Sequence, residues 1–294
     1  QNDGFLASHE KFIEQFKESF PSRIDKLNAE DMLPYGSDLS LWRSVFDHYD
    51  VIIGYSTDPI LPMLAGKKYF ALEHGTLREI PFASDTTGRL CALAYKNAEH
   101  AFVTNFDCIE NAVSLCGDDF TFINHPFDED HGLAIDGVAR LRDNLKRELQ
   151  SDFLVFFPTR QDWVEGTGYA DKANDELLRA FIELRSEGFR IGLVCCAWGK
   201  NIAQSKTIIN NGNCREFVKW SAPTGVMQFE RTASACDVTA DQFKLGAFGG
   251  VTFKAMAVGS PILSYLNPEL LEGLYSEPPP VINCRYEQEI KAQL

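Results

Sequence analysis

One segment decides the fold class: residues 241–262 read DQFKLGAFGGVTFKAMAVGSPI. The segment follows a strand-like run and contains three glycines, then a helical pattern, and then the start of a second strand-like run. Glycines directly before a helix let the backbone approach a ligand closely, and the free N–H groups of the first helical turn attract an anion. The spacing is neither G-x-G-x-x-G nor a P-loop, so a plain tight turn between strand and helix stays open as the alternative.

The same alternation of strand-like and helix-like runs extends over most of the chain. It is typical of βαβ units and predicts an α/β fold with parallel sheets. The predicted strands form two series: Val51–Tyr55, Tyr69–Leu72, Ala101–Thr104 and Phe120–Ile123, then Phe153–Pro158, Arg190–Cys196, Glu216–Val218, Cys236–Thr239 and Pro261–Tyr265. The predicted helices include Thr87–Asn97, Asp136–Leu149, Ala173–Glu187, Thr224–Ala235 and Val251–Val258.

An acidic stretch with breakers separates the two series. Gly117–Ala139 holds six Asp or Glu residues, no Lys or Arg, and the breakers Pro126 and Gly132. It predicts a crossing between two α/β domains, residues 1–127 and 128–294, which we expect to face each other across a cleft. Because the sequence starts without Met and ends inside a helical pattern, we also expect a fragment that lacks part of the N-terminal domain and the C-terminal helices.

The composition excludes several classes of protein. With 28 Lys and Arg against 42 Asp and Glu, the net charge of the 294 residues is −14, which argues against nucleic-acid binding and against simple electrostatic docking on anionic membranes. No apolar run approaches the ~20 residues of a membrane span, and no export signal opens the sequence. The eight cysteines form no C-x-x-C pair and predict free, buried thiols in a cytoplasmic protein.

Two cations follow the first strand of the second series. Arg160 ends the motif FPTR, residues 157–160, and Lys172 opens the next helical pattern. Ligands of open α/β sheets bind beyond the carboxyl ends of strands. An arginine fork and a lysine ammonium placed there are suited to a diphosphate. A pair of solvated surface cations is the alternative.

The first series carries polar residues at two strand ends. Residues 72–78 read LEHGTLR, so that Glu73, His74 and Arg78 follow one strand, and Thr104 and Asn105 end the next. A histidine beside a glycine at a strand terminus is placed to exchange a proton in a cleft. Thr104 and Asn105 can donate hydrogen bonds to a polar ligand. A purely structural role is the alternative for His74 and likewise for Thr104 and Asn105.

A cluster of possible metal ligands lies in the acidic stretch. It consists of His125, Asp128, Glu129, Asp130 and His131, with a proline between the first two. Such residues do bind metals, but an exposed acidic crossover explains them better. No zinc-type cysteine spacing and no G-x-S-x-G elbow occurs in the sequence. We therefore expect no metal.

Taken together, these segments resemble nucleotide-sugar glycosyltransferases of the GT-B fold, in particular family four, the group 1 transferases. Residues 241–262 are similar to that family's glycine loop, helix and EAMA-x-G-x-P segment. FPTR with Lys172, Trp198-Gly199 and the LEHG turn add weaker matches. The likeness covers about Asp50 to Leu294 and is more specific in the second domain.

The resemblance implies two Rossmann-like domains with a nucleotide-sugar donor bound by the second. Arg160 and Lys172 would neutralise the leaving diphosphate with help from the N–H groups of Gly249 and Gly250, and His74 would sit by the transferred sugar. The first domain, with the four other polar residues of its strand ends, would hold a glycan or lipid-linked acceptor. Transfer would retain the anomeric configuration, in polysaccharide or lipid-linked glycan assembly, and would need neither metal nor another cofactor.

Two positions depart from the family pattern. Lys254 stands where the family has a Glu before Ala-Met-Ala, and Gly246 stands eight residues earlier, where many members have another acid. Lys254 would either add a third cation beside the diphosphate or point to solvent. A non-catalytic relative that binds a sugar nucleotide or a partner protein, and an enzyme similar to nucleotide-sugar 2-epimerases, therefore remain alternatives. Peripheral contact with the inner face of the membrane is left open.

Overall fold

The computed structural model describes residues 3–126, 135–164, 169 and 171–294, with side chains from residue 9 onward. The chain divides into two compact units, Gln1–His125 and Pro126–Leu294, whereas the sequence places the division after residue 127. Each unit is built around its own parallel sheet.

The first unit holds a four-stranded sheet. Its strands are β1 (Ile53–Tyr55), β2 (Phe70–Leu72), β3 (His100–Val103) and β4 (Phe120–Phe122). They lie in the order β1-β2-β3-β4, and every neighbouring pair is parallel. The helices are α1 (Asp3–Ser19), α2 (Leu39–Phe46), α3 (Ile60–Leu64), α4 (Thr86–Lys96) and α5 (Ile109–Cys116).

The second unit holds a six-stranded sheet. Its strands are β5 (Phe153–Phe157), β6 (Ile191–Cys196), β7 (Val218–Ser221), β8 (Val238–Ala240), β9 (Ile262–Ser264) and β10 (Val281–Asn283). The helices are α6 (Val138–Glu148), α7 (Asn174–Ser186), α8 (Ile202–Asn211), α9 (Val226–Ala235), α10 (Gly250–Ala257), α11 (Pro268–Leu271) and α12 (Glu287–Gln293). Among the described residues no helix combines the length and apolar character that a membrane span requires.

Both faces of the second sheet are covered. Val155 and Phe157 of β5 point into one apolar cluster with α7, while Leu154 and Phe156 point into another with α6 and α9. Successive side chains of a strand alternate between the faces of a sheet. A continuous apolar run such as 153–157 is therefore what a strand buried on both faces needs.

The strand order of the second sheet contains a reversal. The order is β10-β9-β8-β5-β6-β7, so the chain builds outward from β5 to β7 and then returns to place β8 on the other side of β5. Val155 pairs with Val238 in this parallel contact. Where the strand order reverses, the two following loops leave in opposite directions and open a crevice beyond the carboxyl ends. That crevice lies between the loops after β5 and β8.

Most predicted strands and helices are confirmed to within about two residues, with two exceptions. The strand predicted at Glu216–Val218 is wrong, because Arg215–Phe217 forms a short 3₁₀ turn and β7 begins only at Val218. The predicted set also omits β10, which follows three consecutive prolines at residues 278–280 that signal a loop.

The free, buried thiols predicted from sequence are confirmed. All eight cysteines belong to the described residues, and all are free and buried. Burial raises the pKa of Cys91 and of Cys236 to about 12. Such thiols act as small apolar side chains and are poor nucleophiles at neutral pH.

Candidate functional site

A buried aspartate ties together the two loops of the crevice in the second unit. Asp241 follows β8 directly and is 2% exposed. Its Oδ1 accepts a hydrogen bond from the hydroxyl of Thr159 after β5 (3.2 Å), and its Oδ2 accepts one from the hydroxyl of Thr252 in α10 (2.7 Å). Asp241 therefore fixes the start of α10 against the end of β5.

The next residue shapes the glycine loop itself. Gln242 is fully buried, and its Nε2 donates to the carbonyl oxygens of Ala247 (2.8 Å) and Tyr265 (2.9 Å). Its Oε1 accepts from the backbone N–H groups of Lys244 (3.0 Å) and Leu245 (2.6 Å). Both donors and both acceptor sites of the amide are thus used. Sequence reasoning assigned no role to Gln242, although a polar residue just beyond the end of a buried strand was a usable signal.

Gly249 and Gly250 differ in what their positions require. A Cβ on Gly249 would collide with the carboxylate of Asp241, whereas a Cβ on Gly250 would meet nothing within 4 Å. Gly249 is therefore needed for the close approach of α10 to Asp241, and Gly250 leaves the first turn of the helix open. No side chain caps this helix start, so its N–H groups and its dipole present positive potential.

Both predicted cations of the second unit lie at this end of the sheet. The backbone N–H of Lys172 donates to the carbonyl oxygen of Asp162 (2.6 Å), and the backbone N–H of Phe243 donates to the carbonyl oxygen of Lys172 (3.0 Å). Lys172 thus lies between the loop after β5 and the loop after β8. Lys254 is half-buried in α10, one turn after Gly250. Because the Cβ atoms of a helix tilt toward its N-terminus, the side chain of Lys254 starts in the direction of the open turn.

Arg160 is oriented by an acid that sequence reasoning did not select. Its Nε lies 2.6 Å from Oδ2 of Asp162, and the Asp162 side chain is only 4% exposed while that of Arg160 is 40% exposed. Oδ1 of Asp162 accepts from the backbone N–H of Lys200 (2.6 Å). The alternative of a solvated surface cation does not describe Arg160, because a buried carboxylate holds its guanidinium. Its role at a diphosphate stays a prediction.

In the first unit, Glu73 does not line a ligand surface. Its side chain is fully buried. It accepts hydrogen bonds from the backbone N–H groups of Gly75, Thr104 (3.1 Å) and Asn105 (3.1 Å), and from the Asn105 side-chain amide (2.9 Å). The prediction of a ligand-facing Glu73 is corrected: its carboxylate joins the ends of β2 and β3. Burial, with the charge of Glu73 adding, raises the pKa of the nearby Cys108.

Arg78 is likewise engaged within the unit. Its guanidinium forms a two-point ion pair with Asp107 (2.6 and 2.9 Å) and donates to Oδ1 of Asn105 (2.9 Å). Thr104 and Asn105 bond to Glu73, and Arg78 bonds to Asn105, so their polar groups are engaged within the unit. Their predicted roles toward a ligand stay predictions. These four residues build the platform on which the turn at His74 stands.

His74 is the exposed member of that turn. Gly75 follows with a φ of +78°, a left-handed conformation that favours glycine. The His74 ring lies 4.9 Å from the ring of Tyr55, between centroids, and its Nδ1 is 3.1 Å from Nε2 of His125. A histidine held between two rings and exposed on one side has the accessibility that proton exchange requires.

The structure describes one member of the cluster of possible metal ligands, His125. Among the residues that the structure describes, no group of three His, Cys, Asp or Glu side chains is placed to hold a metal ion. Of the cluster named above, Asp128, Glu129, Asp130 and His131 lie outside the described residues. His125 contacts His74 instead.

Comparison with solved structures shows the fold. HepE of Anabaena, in complex with UDP and glucose, superposes with a TM-score of 0.68 and 15% identity over 87% of this chain and 70% of its own. The catalytic domain of starch synthase IV from Arabidopsis thaliana, bound to ADP and acarbose, superposes with a TM-score of 0.61 and 12% identity. The match covers 90% of this chain and 69% of that domain. A Listeria monocytogenes protein described as a UDP-N-acetylglucosamine 2-epimerase superposes with a TM-score of 0.57 and 15% identity. The match covers 97% of this chain and 76% of that protein.

These likenesses confirm the predicted fold class: an α/β chain with the GT-B fold, in which each unit is built on a parallel sheet. No protein-family model and no curated protein sequence matches the chain.

Proposed function

We propose that this chain transfers a sugar from a nucleotide-sugar donor to an acceptor, with the donor bound by the second unit in the crevice between β5 and β8. One observation carries the proposal. The reversal of strand order brings Arg160, Lys172 and the open start of α10 to one edge of the sheet. Neighbours of the same fold are described in complex with UDP-glucose and with ADP, which supports a nucleotide-sugar donor.

The electrostatics of the crevice suit a leaving diphosphate. Negative charge grows on the diphosphate as the bond to the sugar breaks, and fixed cations and dipoles stabilise it without reorganising. Arg160 and Lys172 supply the cations, and Gly249 and Gly250 supply the N–H groups. The charge of Asp241 lies beneath Gly249 and opposes them. A third cation would therefore help to offset the charge of Asp241.

We assign that role to Lys254. It cannot replace a Glu that accepts hydrogen bonds from ribose hydroxyls, since an ammonium has three donors and no acceptor. Gly250 and Lys254 are four residues apart, or roughly 6 Å of helix axis, a distance that a lysine side chain can span. Lys254→Glu is then expected to weaken UDP binding far more than uridine binding. If the variant instead binds UDP more tightly and transfers faster, Lys254 marks a lost ribose contact.

We further propose that His74 acts at the transferred sugar and that the first unit holds the acceptor, a glycan or a lipid-linked glycan. The proposal also includes transfer with retention of the anomeric configuration and a place in polysaccharide assembly. The proposed location is cytoplasmic, at or near the inner face of the membrane. The exposure of His74, in contrast to the internal bonding of its four polar neighbours, makes it the residue of this strand end that can reach a ligand.

Calorimetric titration with UDP, GDP and ADP tests the donor site. Arg160→Ala and Lys172→Ala should each weaken binding of the preferred nucleotide about ten- to a hundredfold, the usual effect of one charged hydrogen bond. Arg190→Ala is the matched control, because Arg190 is exposed in the same unit and pairs only with exposed Asp152. Nucleotide affinity that is unchanged in both test variants would overturn the donor site.

Product analysis by NMR separates transfer from a second candidate reaction. The likeness to the Listeria protein spans 97% of this chain and keeps epimerisation of the donor in consideration. Nucleotide release that depends on an added acceptor, with a new glycosidic bond, supports transfer, and the coupling constant of the new anomeric proton tests retention. Inversion at C2 without acceptor would establish the epimerase instead.

A further inference from the structure

A second polar cavity lies in the same unit, between α6 and α9. Its volume is about 330 Å³, and its lining includes Arg140 and Asn144 of α6, Gln228 and Arg231 of α9, and Asp136 just before α6. A water molecule occupies about 30 Å³ of liquid, so the cavity has room for a small organic ligand. None of these residues belongs to the crevice between β5 and β8.

The two arginines of this cavity have no carboxylate partner. Within the described residues, neither guanidinium lies within 4 Å of an Asp or Glu oxygen. Four other arginines of the unit each pair with an aspartate, namely Arg142, Arg160, Arg179 and Arg190. What distinguishes Arg140 and Arg231 is that both line the same cavity. In a chain with a net charge of −14, carboxylates are abundant. The described lining of this cavity nevertheless holds two arginines and one carboxylate, that of Asp136, so positive charge is in excess there.

The hydrogen-bonding capacity of Arg231 is also largely unused. Its Nη1 donates to Oε1 of Gln228 over 3.3 Å, and its buried Nε has no hydrogen-bond partner. A guanidinium carries five N–H donors. Apart from the buried Nε, its N–H donors can therefore turn to a ligand in the cavity.

We propose that this cavity is an anion site that takes the phosphate group of a small soluble phosphate compound. Among the described lining residues, the two guanidiniums outweigh the carboxylate of Asp136, so the site favours an anion. Their N–H groups, with those of the α6 start at Gly137, outnumber what the two oxygens of a carboxylate can accept, whereas a phosphate offers three or four oxygens. Arginine forks match that geometry.

Titration with inorganic phosphate and with glycerol 3-phosphate tests the site, followed by calorimetry and by the arginine Nε–Hε resonances in ¹H–¹⁵N NMR. Wild-type protein should bind at least one of the two saturably and shift the resonances of Arg140 and Arg231. The double variant Arg140→Gln/Arg231→Gln should lose about tenfold or more in affinity. Arg179→Gln is the matched control, because the Arg179 side chain is exposed on α7 of the same unit, and it should bind as wild type.

The outcomes are distinct from those that test the donor crevice. Tighter binding of glycerol 3-phosphate identifies a phosphate ester as the ligand class, and equal binding identifies phosphate itself. Phosphate binding that is lost in Arg160→Ala but kept in the double variant refutes the proposal, as does no saturable binding by wild type. Should the double variant unfold, Arg140→Gln alone decides, because Arg140 is exposed: it must weaken binding while UDP affinity stays unchanged.

Discussion

Replacing Glu73 by Gln is expected to destabilise the first unit by about 3 kcal/mol. The substitution keeps the shape of the side chain but exchanges one acceptor oxygen for an NH₂ donor. If the amide nitrogen takes the Oε1 position, it faces the N–H of Gly75. If it takes the Oε2 position, it faces the N–H groups of Thr104 and Asn105. In either orientation at least one buried donor meets another donor.

The magnitude follows from that count. A hydrogen bond to a charged group contributes roughly 1.5–3 kcal/mol, and a buried donor left without an acceptor costs roughly 1–3 kcal/mol. The less costly orientation places the amide nitrogen at the Oε1 position, where one hydrogen bond is lost and one backbone N–H is left unsatisfied. The free energy of unfolding should therefore fall by on the order of 3 kcal/mol. With an m-value of about 1–3 kcal/mol/M, the urea midpoint of this unit should fall by at least ~1 M.

Equilibrium unfolding in urea, followed by fluorescence and circular dichroism, measures this loss. Glu99→Gln is the matched control in the same unit, because Glu99 is exposed and its ion-pair partner Lys68 is exposed too; it should change stability by less than about 0.5 kcal/mol. A loss below ~1 kcal/mol for Glu73→Gln would show that the carboxylate does not join β2 and β3 as described.

Three further substitutions probe other parts of the molecule. Gly249→Ala should cost about 1–3 kcal/mol in stability and weaken UDP binding in calorimetry, because the new methyl group meets the Asp241 carboxylate; wild-type affinity would contradict this. His74→Ala should lower turnover about a hundredfold with nucleotide affinity intact, and a large loss of affinity would remove the proposed role. Burial opposes ionisation of Asp31, but the Arg89 side chain and other hydrogen bonds hold its pKa below the usual value. Asp31→Asn should therefore destabilise above pH ~4, and its difference from wild type in urea unfolding should vanish as the pH falls through the lowered pKa.

The parts of the site that sequence could predict are those that follow from one strand and its own loop. FPTR ends a run buried on both faces, so its position at the carboxyl edge follows from the βα pattern alone. Gly188, with a φ of +94°, ends α7 as a glycine after a helix is expected to. Neither inference depends on which strands are neighbours in the sheet.

The parts that sequence could not predict depend on strand order. The bond between Thr159 and Asp241 joins residues 82 positions apart, and it exists because β8 returns to the side of β5. The bonds from Thr104 and Asn105 to Glu73 arise in the same way from the pairing of β2 with β3. Propensity and periodicity are local properties, so they place a polar residue at an edge without showing whether it faces a ligand or another strand end.

The glycine loop shows why the two departures from the family pattern belong together. Gly246 has a φ of +77°, and a Cβ there would lie 2.9 Å from Cβ of Asn267 and 3.1 Å from Cε1 of Tyr265. A glutamate at this position would be strained by the backbone and crowded by the loop after β9. The loop is therefore built for glycine, and an acid cannot be restored there by one substitution. With no carboxylate at 246 and an ammonium at 254, the donor site that we propose in this crevice would depend on positive charge, so its affinity for a nucleotide should weaken as ionic strength rises.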